Sequence, residues 1–366
     1  MNVLTRREML KALAKSTAVL GLSGMVTEGL AGLGTAGQGN DLIKTDKSGR
    51  SIVTVIRGND LRKMARESLE SVGGAKALVQ PGQTVFIKPN LVTAQGAAFR
   101  PVTRNGECTK PEIIMTVAEE CLQAGAAEVI IGEGAHAPRF SWQVIKTMDG
   151  STNMAAETER LNVKYKGKVR LVCLNAETPE WVEVPTRTSL GKIAVSGLVT
   201  RADVIISIPV LKTHNFAVVS LSLKNFIGTI SSDRHGGYPV RKDIHLAGLE
   251  QSFIDVVAGI KPHLAIIDGS IGCEGNGPSV DPSRGKGRTV DMKERSGSWM
   301  LLASRDLAAA DATAARIISH DALKVKQFQL AAAQGLGQIR EDRIELKGGK
   351  LDELRITWLP AQLRTI

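Results

Sequence analysis

A chain of 366 residues with 43% hydrophobic content can bury a full core, as one large α/β domain or two lobes, and is no disordered tail. The net charge of +10 is spread along the sequence without a long basic block, and only 4% of residues are aromatic, so nucleic acid is not an expected partner. Cys108, Cys121, Cys173 and Cys273 stand far apart with no CxxC pair, which points to buried free thiols and away from an iron-sulfur cluster or zinc ribbon within this chain.

At the N-terminus, Arg6 and Arg7 precede Lys11 and a weakly apolar stretch at 12–26, and the small residues Gly34 and Ala36 follow. That order reads residues 1–36 as a twin-arginine (Tat) export signal, 37–50 as a Gly- and Asn-containing linker, and the mature protein as periplasmic. The apolar run is shorter than the roughly 20 residues a bilayer span requires, and no later run reaches that length, so the mature chain is expected to have no membrane span.

From Ser51 the pattern alternates strand and helix, which predicts an α/β domain over 51–320: a mainly parallel sheet with helices on both faces. Strand 52–56 leads to a helix capped by Asn59 or Asp60. Strand 85–87 ends at Lys88-Pro89-Asn90, and a long loop at 91–110 follows. Pro111 opens a helix running to about 124. Strand 129–131 ends at Gly132-Glu133-Gly134, with His136 beyond. Residues 140–200 are a candidate inserted lobe, with a helix at 141–148 and strands near 169–174 and 181–184. The β-branched run 204–208 reads as a strand buried on both faces; it stops at Pro209 and delivers Lys212, Thr213 and His214, then Lys224 and Asn225. A loop with Arg234, His235, Arg241 and His245 precedes a helix at 252–260. Strand 264–267 ends at Asp268, with Glu274-Gly275-Asn276-Gly277-Pro278 after it. Strand 299–303 runs through Asp306, a helix N-cap, into the Ala-rich helix 307–318. The tail, 321–366, carries a helix at 323–334 and strands near 344–346 and 355–358.

Four apolar strands therefore run into charged or amide residues at their carboxyl ends, where open parallel sheets bind ligands. Lys88, Lys212 and His214 are the candidate catalytic groups. Pro89 and Pro209 stiffen the backbone near the two lysines, and clustered lysines suit a carboxylate or phosphate and depress one another's pKa. Asn90, Lys224, Asn225, Gly275 and Asn276 are candidate ligand-binding residues. Asp268 and Glu274 are candidates to bind a divalent metal or position the lysines. His136, His235 and His245 add metal-ligand chemistry without HxxxH or HxH spacing. The glycines at 275–277 do not follow GxGxxG, and Gly285-Lys286-Gly287 lacks the Ser or Thr of a phosphate loop, so a nucleotide is not indicated. Asp311 lies on an apolar helix face and needs a partner.

IKPN at 87–90, IPVLKTH at 208–214, LSLKN before Gly228, IIDG with EGNGP at 274–278, and the DLAAADATAAR helix together resemble the bacterial and archaeal DUF362 family over about 52–320. The resemblance implies an α/β domain, no settled activity, and frequent association of relatives with four-iron, four-sulfur modules. This chain lacks their cluster-binding cysteine run, so an iron-sulfur role would need another subunit. The residues favour an exported enzyme acting on an anionic small molecule. The alternative is a non-catalytic periplasmic binding or maturation module for a redox or iron-sulfur partner protein. A buried concave cluster with perturbed pKa values distinguishes the first from the second, which calls for a flat apolar patch.

Overall fold

The structure is a computed structural model that describes residues 45–93, 104 and 106–364. The expected export signal at 1–36 and residues 37–44 of the expected linker lie outside the described residues. The main sheet is α/β in type, with the strand order β13 (Ile344–Lys347), β1 (Ser51–Gly58), β12 (Trp299–Ser304), β10 (Leu264–Glu274), β7 (Val204–Ile208), β2 (Thr84–Pro89), β3 (Glu128–Glu133) and β4 (Val169–Cys173). The block from β10 to β4 pairs in parallel, while β12 runs antiparallel to both β1 and β10.

The central strands are buried on both faces, which is why they read as unbroken apolar runs. Their side chains divide between two cores by strand alternation. Phe86, Ile205 and Ile267 join the helices Lys242–Ile260, Leu307–Ile317 and Lys326–Ala333 on one face. Val85, Ile87 and Ile206 join the helices Leu61–Glu70, Pro111–Gln123 and Met154–Tyr165 on the other.

Several boundaries differ from the sequence reading. The chain does not leave the sheet at Pro209; it resumes as β8 (Val210–His214), which pairs with β10 and with β9 (Val218–Ser220). Proline lacks only a donor, and its carbonyl still accepts from the Asp268 amide at 2.8 Å. Lys212 and His214 are thus strand residues. Strand β10 likewise continues through Glu274 and gains β11 (Arg288–Asp291) as a partner. Residues 140–200 do not form one lobe: β4 is the sheet edge, and only β5 (Trp181–Pro185) and β6 (Lys192–Ser196) make a separate hairpin, whose Val184, Ile193 and Val195 enter the common core. The helix expected at 141–148 is a single turn, Trp142–Val144, and Met154–Tyr165 is helical instead, capped by Asn153. The helix expected from 252 begins at Lys242 and kinks at Gly248 (φ 122°, ψ 90°). Residues 355–358 form no strand, but β13 pairs with β1, so the tail completes the main sheet.

Candidate functional site

The carboxyl ends of β2, β3 and β8 open into one cavity of about 210 Å³. Its walls include Lys88, Asn90, Lys212, His214, Lys224 and Asn225, so six of the sequence-predicted residues share one enclosure. Asn276 lines it as well, and Gly275, Asp268 and Glu274 do not.

Parallel pairing sets Ile87 opposite Ile131 and brings Lys88 and Glu133 to neighbouring strand ends. Lys88 Nζ donates to Glu133 Oε1 at 2.7 Å and to the Pro89 carbonyl at 2.6 Å, while the Leu91 amide donates to Glu133 Oε2 at 2.6 Å. Burial lowers the Lys88 pKa, and Glu133 opposes the shift. Gly228 passes against this pair: a Cβ there would lie 2.5 Å from Glu133 Oε1 and 2.9 Å from Lys88 Cε.

Lys212 is fully buried and donates to neutral acceptors, Asn90 Oδ1 at 2.9 Å and the Glu107 carbonyl at 3.0 Å; burial lowers its pKa too. Asn225 Nδ2 donates to the Lys88 carbonyl at 2.7 Å and to Ser207 Oγ at 3.1 Å, tying the turn Lys224–Thr229 to the end of β2. The same turn carries Lys224, 7% exposed, with no hydrogen-bond or ion-pair partner among the described residues. Burial, then the charges of Lys212 and Arg241, bring its pKa down to about 7. Asp311 supplies the anchor: its carboxylate accepts from the amides of Ser222 (2.8 Å) and Leu223 (2.9 Å) and from the Ser222 hydroxyl (2.5 Å). The partner that this inward acid needs is thus backbone.

Arg241 is 4% exposed and donates to carbonyls, through Nε to Ile230 at 2.8 Å and through Nη2 to Gly134 at 3.0 Å. Burial pulls even this guanidinium down to about 10. His214 Nδ1 accepts from the Phe216 amide at 3.0 Å, so the neutral ring carries its proton on Nε2. Burial, followed by the charges of Lys224 and Lys212, holds His214 well below the usual histidine range. His136, pulled down to about 4 chiefly by burial, and His245 complete the wall, whereas His235 lies outside it and accepts from the Ala194 amide.

The two expected metal ligands are engaged elsewhere. Asp268 Oδ2 accepts from the Lys110 amide at 3.1 Å and lies 3.3 Å from Lys110 Nζ; its Oδ1 accepts from the amide and hydroxyl of Ser270. Glu274 Oε1 accepts from Arg288 at 2.6 Å and Arg295 at 3.0 Å, and Oε2 from the Leu359 amide at 2.8 Å. Because β10 continues past Asp268, neither carboxylate is delivered to the cavity. No group of three or more His, Cys, Asp or Glu side chains among the described residues is arranged to hold a metal ion. Gly275 gives its amide to Leu359, and Asn276 spends its side chain on Gly285 and Gln362, so both tie loops together.

The profile of the family described as Domain of unknown function (DUF362) matches residues 85–316, from β2 into the helix Leu307–Ile317. The chain belongs to the DUF362 family. It is 26% identical over 276 residues to a thylakoid-associated protein of Synechocystis, covering 74% of each chain. Among solved structures it is similar to the lactate racemase apoprotein from Thermoanaerobacterium thermosaccharolyticum, with 12% identity and a TM-score of 0.36 over 72% of this chain and 56% of that one. A Thermotoga maritima protein gives 13% identity and the same TM-score over 60% of this chain and 53% of its own. The chain thus spans little more than half the length of either solved structure.

Within this DUF362 chain, Glu133, Arg241, His136 and His245 belong to the cavity although sequence reasoning left them out of the site residues. Glu133 had a readable signal, since it ends a strand as Lys88 does. Arg241 had none, because its acceptors at Ile230 and Gly134 are set by the fold. Lys110, 0% exposed against Asp268, is announced by no local pattern either.

Proposed function

We propose that this DUF362 protein is an enzyme whose substrate is a small anion held in the cavity. The observation that supports this most is the charge inventory: Lys88, Lys212, Lys224 and Arg241, all buried, face Glu133 as the one carboxylate among the described lining residues. Excess buried charge of one sign is costly unless a ligand of opposite charge shares the space. A concave cavity walled by histidines, buried lysines and a buried arginine also fits an enzyme better than a docking module, which would present a flat apolar surface. The twin-arginine pattern at 6–7 supports export, with the substrate met outside the cytoplasm.

His214 is too weakly basic to take a proton near neutral pH and instead offers Nε2–H as a donor. Lys224, at about 7, exchanges its proton in the physiological range, the property of a general base. In this reading neutral Lys224 removes a proton from the substrate, and the charge left on the acid group is met by Lys212 and the His214 N–H. Lys88, balanced by Glu133, orients the strand end, and Asn90 fixes Lys212.

The test is to purify the protein from its own host, extract it under denaturing conditions, and identify small anions and metals by mass and elemental analysis. Thermal shift with phosphate and simple carboxylates accompanies it. A co-purifying anion, or stabilisation lost in Lys212→Met and Lys224→Met, is expected. No anion and no stabilisation by any acid would refute the reading.

A further inference from the structure

Resting on that reading, we infer that the anion carries a hydrogen-bond donor beside its acid group, as a hydroxy or amino acid does and acetate or sulfate does not. The inference comes from the acceptors of the cavity wall. Asn225 Nδ2 is committed to the Lys88 carbonyl at 2.7 Å and to Ser207 Oγ at 3.1 Å. A carbonyl oxygen only accepts, so this contact fixes which end of the amide is nitrogen. The other end, Asn225 Oδ1, has no hydrogen-bond partner among the described residues, although the residue is 3% exposed and lines the cavity.

Asn215 adds a second unpartnered amide end to the same wall, although no Nδ2 contact among the described residues fixes its orientation as one does at Asn225. The Asn215 backbone is held on both sides, the amide donating to the Gly277 carbonyl at 3.1 Å and the carbonyl accepting from the Arg364 amide at 2.7 Å. Its Oδ1 is buried in the same wall and is also without a partner among the described residues.

The nearby cations do not answer these oxygens. Lys88 donates to Glu133 and Pro89, Lys212 to Asn90 and Glu107, and Arg241 to Ile230, Gly134 and Asn175, while Lys224 makes no hydrogen bond to either oxygen among the described residues. The wall therefore offers positive charge for an anion and lone pairs for an O–H or N–H. A ligand with acceptors alone would set oxygen against oxygen at Asn225, whereas an acid with an adjacent hydroxyl or amine satisfies both sets. Sites that hydrogen-bond a substrate hydroxyl discriminate strongly against analogues lacking it.

The experiment measures binding of glycolate, acetate, methoxyacetate and sulfate to the wild-type protein by calorimetry and thermal shift. Acetate lacks the hydroxyl, and methoxyacetate replaces its hydrogen by methyl. Glycolate is expected to bind about 10-fold or more tighter than the other three. Equal binding of acetate or methoxyacetate, or tighter binding of sulfate, overturns the inference and leaves the anion reading standing; no binding by any of the four overturns both. In Asn225→Ser, if its circular dichroism matches wild type, the glycolate preference falls to within about twofold. If that variant is unfolded, the wild-type comparison decides alone.

Discussion

The carboxylate of Asp311, on the helix Leu307–Ile317, accepts from the amides of Ser222 and Leu223 and thereby fixes the residue that follows them, Lys224. A buried acid on the covering helix thus sets where Lys224, a buried lysine with no partner among the described residues, stands. Asp311→Ala removes the acceptor from two buried amides and a hydroxyl. It is expected to cost about 2–4 kcal/mol in urea unfolding and to weaken anion binding without touching the ligand. An Ala variant as stable as wild type, with unchanged binding, would show that the helix does not position Lys224.

Lys224 gives the protein a pH signature. Its ordinary value is 10.5 and its folded value about 7, so between the two the unfolded chain binds more protons than the native one. Stability contributed through this group therefore rises with pH across that window and is lowest below about 7, where the native state carries the whole cost of burying the charge. Lys224→Met lacks that cost. Its advantage over wild type is expected to be on the order of 3–4 kcal/mol near pH 7, shrinking as pH approaches 10. Urea melts of both proteins across that range check it, and a gap that stays constant or widens with pH contradicts the lowered pKa.

An anion beside Lys224 raises its pKa, so binding at about pH 8 should take up a proton. Calorimetry in buffers of different ionisation enthalpy is expected to read a fractional uptake, less than one proton per anion, that leaves part of Lys224 neutral as the base and vanishes in Lys224→Met. Binding without proton uptake would assign the anion to Lys212 and Arg241 alone.

Lys88 and Glu133 act as a unit. Lys88→Met leaves the Glu133 carboxylate buried without its cation and is expected to cost about 3–5 kcal/mol, while Lys88→Met with Glu133→Gln recovers most of that. Urea melts of the two single variants and the double variant read the coupling. A loss that simply adds in the double variant denies it.

What the sequence made legible follows from how the strands are buried. Strands covered on both faces show as apolar runs, so a lysine directly after such a run, as at Lys88, is visible without any knowledge of its partner. Partners were not visible. Asp268 read as a strand-end ligand because nothing local announces that Lys110, 158 residues away, fills its oxygen. Pro209 looked like a stop because its missing donor is local, while the carbonyl that keeps it in the sheet bonds across the fold to Asp268. Likewise the basicity of His214 depends on burial, and then on charges at Lys224 and Lys212, that only folding assembles around it.

Glu274 separates the two views of that fourth strand end. Burial pushes its pKa up, but the Leu359 amide and the guanidinium groups of Arg288 and Arg295 outweigh it and hold the carboxyl below its usual range. Its Oε2 contact with Leu359 begins a short segment that continues through Gln362, bonded to Asn276, to Arg364, whose amide donates to Asn215 and whose side chain lines the cavity. Glu274→Gln keeps the shape and removes the charge that two arginines share. It is expected to cost about 1–3 kcal/mol, to make residues 359–364 more sensitive to limited proteolysis, and to weaken anion binding by about 2- to 5-fold through Arg364. Metal content measured on the same preparations gives the opposing outcome: a metal that binds wild type in stoichiometric amount and is lost in Glu274→Gln, with proteolysis unchanged, would return Glu274 to the ligand role its place in the sequence suggested.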